Sequence, residues 1–176
     1  MKVIISHDAD IESPRTFDNL GTMYCWHKRY QLGDVQPKCD PAEHQKCMPD
    51  GSVILPLYLI DHSGISMSTS DFRDPWDSGR VGYIVVTPEE IRKEFSCKRI
   101  SAKMRAKVAE RLNQEVKIYD DYLTGNVYQY EVQDDEGETV DSCCGFYGQD
   151  IEGMVYNAGS ESYREAFKEA FHNVQY

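Results

Sequence analysis

Two apolar runs separated by a polar loop form the most informative pattern in this chain. The first run extends from Val53 to Ile60 and the second from Val81 to Val86. Short, nearly continuous apolar runs of this length are typical of buried strands. Pro56 lies inside the first run and predicts an edge position or a bulge, because proline has no backbone N–H to donate to a sheet.

Helical periodicity appears in the second half of the chain. One apolar stripe predicts a long helix from about Ser101 to Leu123, with Gly125 as its stop. The residues Thr87-Pro88-Glu89-Glu90 form a capping-box pattern and predict a shorter helix over residues 88–95. Aromatic and alanine residues recur at helical spacing from about Ser160 to Asn173, which predicts a C-terminal helix that docks on the core.

The remaining alternating segments predict strands. Lys2–Ser6 is a short β-branched run, and residues 127–133 and 138–144 predict a hairpin around the turn at 134–137. The order of elements indicates an α+β fold with a mainly antiparallel sheet. We expect one domain over residues 1–176, in which one long helix and a C-terminal helix pack on the sheet.

Residues 35–51 form an irregular insertion rich in proline and cysteine. Asp40 followed by Pro41 predicts the start of a short helix, Ala42–Met48. The insertion and the segment before it contain four side chains that zinc prefers as ligands: Cys25, Cys39, His44 and Cys47. Zinc is therefore the one cofactor that the sequence suggests, and free thiols are the alternative interpretation, since this spacing is not that of a standard zinc finger.

The polar loop at residues 61–80 lies between the two predicted central strands. Loops held by rigid strands often carry binding groups. Its candidate partner-binding residues are His62, Asp74, Trp76 and Asp77. The same loop supports an alternative function, a metal-dependent hydrolase or nuclease that uses His62 and the carboxylates of residues 61–79. Asp8, Asp10 and Glu12 form a second carboxylate set for that alternative, and a solvated loop also explains them.

The charge of the chain is large and unevenly distributed. The formal net charge is −11, from 19 basic and 30 acidic side chains. Residues 126–176 contain 11 acidic and 2 basic side chains, whereas residues 92–111 contain 8 basic and 2 acidic ones. The acidic excess favours solubility or imitation of a nucleic acid. It opposes direct nucleic-acid binding unless the basic segment forms an isolated patch.

Two features of the sequence indicate a cytoplasmic protein. No apolar run approaches the ~18 residues of a transmembrane helix, and the N-terminal segment, with one lysine followed by acidic residues, is unlike a signal peptide. Structural disulfides are therefore not expected among the six cysteines. The sequence also contains no P-loop, dinucleotide-binding fingerprint or HExxH motif.

Two blocks of the sequence carry a resemblance to a group of known proteins. They are DNLGTMYCWHKRYQLGD at residues 18–34 and LPLYLIDHSGISMSTSDFRDPWDSGRVGYIVVTPEE at residues 55–90. The blocks resemble proteins encoded by tailed phages, prophages and conjugative elements. By analogy, this resemblance implies a counter-defence protein in the cytoplasm of a bacterial host, of the anti-CRISPR type.

The resemblance and the charge together suggest a specific mode of action. Nucleic-acid-guided nucleases such as Cas9 hold nucleic acid in basic channels. The predicted hairpin carries five carboxylates that suit such a channel: Asp134, Asp135, Glu136, Glu138 and Asp141. The resemblance, together with this charge, therefore implies a non-enzymatic inhibitor that binds a host nuclease through an acidic surface, with Trp76 as an aromatic anchor.

Overall fold

The fold is α+β, with antiparallel strands, one long helix and a C-terminal helix, as the sequence predicted, and the strands form two sheets rather than one. The computed structural model describes residues 2–174. The strands are β1 (Lys2–His7), β2 (Thr22–Cys25), β3 (Val53–Asp61), β4 (Ile65–Ser68), β5 (Ser78–Val86), β6 (Val127–Gln133) and β7 (Thr139–Tyr147). The helices are α1 (Pro41–Lys46), α2 (Pro88–Glu94), α3 (Ala102–Leu123), α4 (Ile151–Asn157) and α5 (Arg164–His172). Among the described residues, none of these helices has the length and apolar character of a membrane span.

The chain divides into two compact units. Unit 1 comprises residues 1–13 and 124–176, and unit 2 comprises residues 14–123. Unit 1 contains the three-stranded sheet, in the order β1-β6-β7, together with α4 and α5. Unit 2 contains the four-stranded sheet, in the order β2-β5-β3-β4, together with α1, α2 and α3. The expectation of one domain over residues 1–176 stays a prediction.

The core of unit 1 forms where α5 packs on the sheet. Alternate residues of β6 are buried, as the sequence pattern predicted. The ring of Tyr128 meets Phe171 edge-on at a centroid distance of 4.9 Å, and Tyr130 meets Phe167 in the same way at 5.1 Å. Such edge-to-face pairs add to the stabilisation that burial of the rings provides. The docking of the C-terminal helix on this face follows from these contacts.

Unit 1 also contains a helix that the sequence did not reveal. Residues 145–159 contain four glycines and suggested only loop structure, yet α4 forms within this stretch. Its N-terminus is capped by Asp150, whose Oδ1 accepts a hydrogen bond of 2.9 Å from Gly153 N. Met154 and Val155 are buried in the core. The cap and this burial outweigh the low helix propensity of glycine.

In unit 2 the two apolar runs become the adjacent strands β3 and β5. Pro56 lies opposite Tyr83 of β5, and β4 pairs only with Tyr58–Asp61. On the side of β3 that faces away from β5, Pro56 therefore has no neighbouring strand in the described sheet. The pairing register also shifts between Leu57 and Tyr58. The sequence prediction of an edge position or a bulge at Pro56 is confirmed.

Helix α3 packs one face on the sheet of unit 2 and covers the edge of β4. Its predicted apolar stripe is buried at Val108, Leu112, Val116 and Tyr119. On the β4 side, Asp120 Oδ1 accepts hydrogen bonds from Met67 N at 2.7 Å and from the Ser66 hydroxyl at 2.8 Å. A carboxylate thus satisfies an outward backbone donor of the edge strand, which would otherwise be available for pairing with another chain.

A buried charge network links α3 to the first segments of unit 2. The Arg15 side chain, only 6% exposed, donates to Asp34 at 2.6 Å and to Glu115 at 3.3 Å. Glu115 also accepts hydrogen bonds from the backbone of Leu20 at 2.8 Å and Gly21 at 3.1 Å. Burial by itself would lower the pKa of Arg15, but hydrogen bonding to Asp34 and the charges of both carboxylates raise it above its ordinary value. Every charge in the network is therefore paired.

Replacing Leu112 by alanine should destabilise the protein by about 2–5 kcal/mol, because the side chain is fully buried and its removal leaves a cavity. The free energy of unfolding would be measured by urea titration. The matched control is Ile118→Ala on the same helix, where the side chain is 39% exposed, and we expect a change below about 1 kcal/mol. Equal effects at the two positions would contradict the packing of α3 described above.

Replacing Glu115 by alanine should cost about 3 kcal/mol or more, because it leaves the Arg15 charge and two backbone donors without their buried acceptor. Glu110→Ala, at an exposed position of the same helix, is the control and should change stability by less than about 0.5 kcal/mol. If the two variants unfold at the same urea concentration, the network does not stabilise unit 2.

Candidate functional site

The structure places the predicted partner-binding residues on two surfaces, one in each unit. His62, Asp74, Trp76 and Asp77 lie in unit 2, in and beside the loop between β4 and β5. The five hairpin carboxylates lie in unit 1, around the turn between β6 and β7. We call these the Trp76 loop (residues 69–77) and the acidic hairpin (residues 127–147).

The Trp76 loop is held by its own backbone and side-chain hydrogen bonds. Asp74 Oδ1 accepts from Trp76 N and from Asp77 N, both at 2.8 Å. The Ser78 hydroxyl donates to the carbonyl of Asp74 at 2.6 Å, and Asp61 N donates to the carbonyl of Asp77 at 2.8 Å. The two backbone donors hold the pKa of Asp74 below its usual range. Asp74 is therefore a structural carboxylate that fixes the turn on which Trp76 stands.

Trp76 is the most exposed large hydrophobic side chain of the described residues. It is 89% exposed, although tryptophan is usually highly buried. The ordered turn beneath it limits the conformational entropy that is lost when a partner covers the ring. An exposed tryptophan on a rigid turn has the properties of an interface anchor.

His62 and Asp77 form the one pair in this region with the geometry for proton transfer. His62 Nδ1 lies 2.7 Å from Asp77 Oδ2, and the side chains are 73% and 40% exposed. Asp61, the first of the carboxylates of residues 61–79, pairs instead with Arg29 at 3.2 Å and accepts from the Tyr30 hydroxyl at 3.4 Å. The carboxylate can orient the imidazole, but neither His62 nor Asp77 lines any of the three described surface grooves. The hydrolase alternative stays a prediction.

The acidic hairpin presents its carboxylates in two different ways. Asp134 and Asp141 have structural contacts: Asp134 Oδ1 accepts from Glu136 N at 2.9 Å and Glu138 N at 3.0 Å, and Asp141 accepts from the Tyr130 hydroxyl at 2.8 Å. The side chains at the tip, Asp135, Glu136 and Glu138, are exposed, and Asp135 also has a contact of its own. Asp134 thus orders the turn, and the three tip carboxylates carry its accessible negative charge.

Of the three N-terminal carboxylates, Asp8 serves the fold of unit 1. Asp8 is 8% exposed, and its two oxygens accept from Asp10 N at 3.1 Å and Gly145 N at 3.0 Å. Gly145 has a φ of +79°, a conformation that favours glycine. Asp8 therefore joins the N-terminal segment to β7, which gives it a role independent of any metal.

An aromatic cluster fastens the insertion of residues 35–51 to the sheet of unit 2. His44 Nδ1 lies 2.5 Å from the Tyr83 hydroxyl, and its ring packs against Tyr24 at 4.7 Å. The indole of Trp26 donates to the carbonyl of Cys39 at 2.7 Å. Burial and the proximity of Tyr24 raise the pKa of Tyr83 to about 12, so its hydroxyl keeps its proton at neutral pH. Hydrogen bonds and ring packing thus hold α1 in place.

The predicted zinc ligands are not gathered into one site. Cys25 is fully buried in β2, whereas Cys39 and Cys47 are exposed and His44 faces Tyr83. In residues 2–174, no group of three or more His, Cys, Asp or Glu side chains is arranged to hold a metal ion. The prediction of zinc at Cys25, Cys39, His44 and Cys47 gains no support from this arrangement.

Sequence reasoning missed two surface grooves. One, of about 510 Å³, lies between α4 and α5, where Tyr156 is 86% exposed and Arg164 pairs with Glu152 and Glu161. The other, of similar volume, lies between β4 and α3 and is lined by hydroxyl side chains with Asn113, Lys117 and Asp120. Neither could be seen in the sequence, because α4 and β4 were not predicted.

Comparisons with known proteins identify no relative of this chain. No protein-family model, no curated protein and no solved structure matches it. The functional argument therefore depends on the residues and geometry described above.

Raising the pH from 9 to 10 should lower the free energy of unfolding by about 1 kcal/mol through Cys25 alone. Burial, together with the charge of Asp34, raises the pKa of Cys25 to about 12 in the folded protein. The unfolded chain releases this proton near pH 9, so the stabilisation is complete below that pH and is lost as the pH rises toward 12.

Urea titrations at pH 8, 9 and 10 measure this effect. Cys25→Ala should reduce the change in the free energy of unfolding between pH 9 and 10 by about 1 kcal/mol, and the change that remains comes from groups such as Tyr83, whose pKa is also raised. Cys144→Ala, which removes an exposed thiol, should leave the pH dependence unchanged. An unchanged pH dependence in Cys25→Ala would show that this thiol does not titrate as described.

Proposed function

We propose that this protein is a non-enzymatic inhibitor that binds a nucleic-acid-handling partner by placing its acidic hairpin in a basic channel. The observation that carries the proposal is the segregation of charge between the two units. Unit 1 contains 14 acidic and 3 basic side chains, whereas unit 2 contains 16 of each. The whole formal net charge of −11 therefore belongs to unit 1.

The shape of the hairpin supports the proposal. The turn between β6 and β7 lies at one end of the three-stranded sheet and carries three exposed carboxylates close together, so it presents concentrated negative charge, as a nucleic acid backbone does. The hydrogen bonds of Asp134 hold the turn in one conformation. Binding therefore requires little further ordering of the hairpin, which favours affinity.

The Trp76 loop supplies a second contact of different chemistry. Tryptophan is among the residues that contribute most to the affinity of protein interfaces. Charge at the hairpin accelerates association and selects a basic partner, whereas a buried tryptophan slows dissociation. The two surfaces therefore have separable effects on binding kinetics.

The resemblance of residues 18–34 and 55–90 to phage and mobile-element proteins suggests the class of partner. We propose a host defence nuclease guided by nucleic acid, of the Cas9 type, whose channels are basic because they hold a heteroduplex. The inhibitor would compete with nucleic acid for that channel and would need no catalytic step.

The triple variant Asp135→Asn, Glu136→Gln, Glu138→Gln should slow association with a guide-loaded Cas9-type nuclease at least tenfold at low salt. Its dissociation rate should change by less than about threefold, as is typical when steering charges are removed. Asp134 is kept because it orders the turn. Association would be measured by biolayer interferometry from 50 to 300 mM salt, where screening shortens the range of the charges.

The matched control is Asp10→Asn, Glu12→Gln, Glu169→Gln, which removes three exposed carboxylates from the same unit and should bind like the parent. If the hairpin variant binds and inhibits as well as the parent while Trp76→Ala abolishes both, the Trp76 loop is the working surface and the mimic hypothesis is wrong. Failure of the parent protein to bind the nuclease at 50 mM salt would contradict the proposed partner.

A further inference from the structure

We infer that unit 2 carries a binding surface for the phosphodiester backbone of nucleic acid, formed by the end of α2, the start of α3 and the segment between them. Five exposed cations define this α2–α3 basic surface: Arg92, Lys98, Arg99, Lys103 and Lys107. The inference concerns a different unit and the opposite sign of charge from the acidic hairpin, so it stands independently of the proposed inhibitor function.

The fold brings the two helices together at this point. Ile91 of α2 and Val108 of α3 are fully buried in the same core. The Lys107 ammonium lies 5.0 Å from the centre of the Phe95 ring, and Arg111 pairs with Glu94 at 3.3 Å. The end of α2 therefore lies beside the second and third turns of α3, and cations distant in sequence share one surface.

The positive charge of this surface is not neutralised locally. Residues 92–111 contain eight basic and two acidic side chains. Glu94 pairs with Arg111, and Glu110 accepts a hydrogen bond from the uncharged Gln114, so the two carboxylates leave the segment with a net charge of +6. None of the five cations of the surface forms an ion pair with another residue of the described chain.

The placement of these cations does not serve the stability of α3. The first turn of α3 contains no acidic residue, and Lys98, Arg99 and Lys103 lie in or just before it. Positive charge near a helix N-terminus interacts unfavourably with the helix dipole. An anion bound at this surface would remove that repulsion.

The composition of the surface favours nucleic acid over an acidic protein. Protein interfaces are depleted in lysine at their centre and depend on large apolar anchors. The exposed large hydrophobic residues of the described chain all lie outside residues 92–111: Phe17, Val35, Trp76, Ile118, Val140 and Tyr156. A surface of lysine and arginine without such an anchor matches the strongly positive, polar character of nucleic-acid interfaces.

The net charge of −11 argued against nucleic-acid binding when the chain was considered as a whole. Unit 2 by itself is neutral, with 16 acidic and 16 basic side chains. Its acidic residues outside 92–111 include Glu89 and Glu90 in the first turn of α2, and the others lie in segments such as the insertion, the Trp76 loop and the end of α3. Exposed charges are screened over ~8 Å at physiological ionic strength, so a local cluster of five cations dominates the field at its own surface.

The experiment measures fluorescence anisotropy of labelled 20-nucleotide single-stranded RNA, single-stranded DNA and duplex DNA with the full-length protein at 50–200 mM KCl. The variant is Lys98→Ala, Arg99→Ala, Lys103→Ala, Lys107→Ala. We expect at least tenfold weaker binding, and a log–log salt dependence for single strands that is shallower by about 3, as loss of four phosphate contacts requires. Comparing the three affinities shows whether the surface prefers RNA or DNA and single strands or a duplex.

The matched control is Lys28→Ala, Lys38→Ala, Lys46→Ala, Lys117→Ala, which removes four exposed cations from the same unit and should weaken binding less than threefold. Because Lys107 also packs on Phe95, the double variant Lys98→Ala, Arg99→Ala tests the surface without altering α3. It should weaken binding about threefold or more, with an unchanged urea midpoint.

Three results would overturn the inference. The first is an absence of binding to all three nucleic acids at 50 mM KCl, and the second is an equal loss of affinity in the control variant. The third is displacement of bound RNA by poly-glutamate as effectively as by unlabelled RNA, which would identify an acidic protein as the ligand.

Discussion

The buried contact between Arg15 and Glu115 is the constraint on which the rest of unit 2 depends. The two residues are 100 positions apart in sequence, and both side chains are almost inaccessible to water. A buried charge is tolerated only when its partners are in place. Arg15 must therefore meet Glu115 and Asp34 together, which fixes the segment before β2, the turn after it and the middle of α3 in one arrangement.

The position of α3 then determines the functional surfaces of unit 2. Its C-terminal half holds β4 through Asp120, and Asn113 lies 2.6 Å from the Thr69 hydroxyl at the base of the Trp76 loop. Its N-terminal half supports the α2–α3 basic surface. Gly21 shows how closely this helix is packed, since a Cβ there would lie 2.4 Å from Leu112. One helix thus links the folding constraint to both candidate binding surfaces.

The two units differ in how they use charge. In unit 2 the buried charges are paired, and acidic and basic side chains are equal in number. Its α2–α3 basic surface is a local concentration of cations within a neutral unit. In unit 1 the acidic side chains greatly outnumber the basic ones, so most negative charge has no cation to neutralise it. Such an excess opposes compaction through self-repulsion, and a basic partner relieves it.

The sequence by itself determined the features that depend on neighbouring residues. The capping box of Thr87 and Glu90, the stripe of α3, the strand Val127–Gln133 and the irregular pairing at Pro56 all follow from local backbone chemistry and periodicity. Tertiary structure decided what depends on distant residues. His44 and Cys25 suit zinc by type, but the folded chain places His44 beside the ring of Tyr83, 39 residues away, and buries Cys25 in the core. Strand β4 is too short to be recognised alone and exists because Tyr58–Asp61 and Asp120 complete its hydrogen bonds. Side-chain type is encoded locally, whereas burial and partnership arise only when the chain is folded.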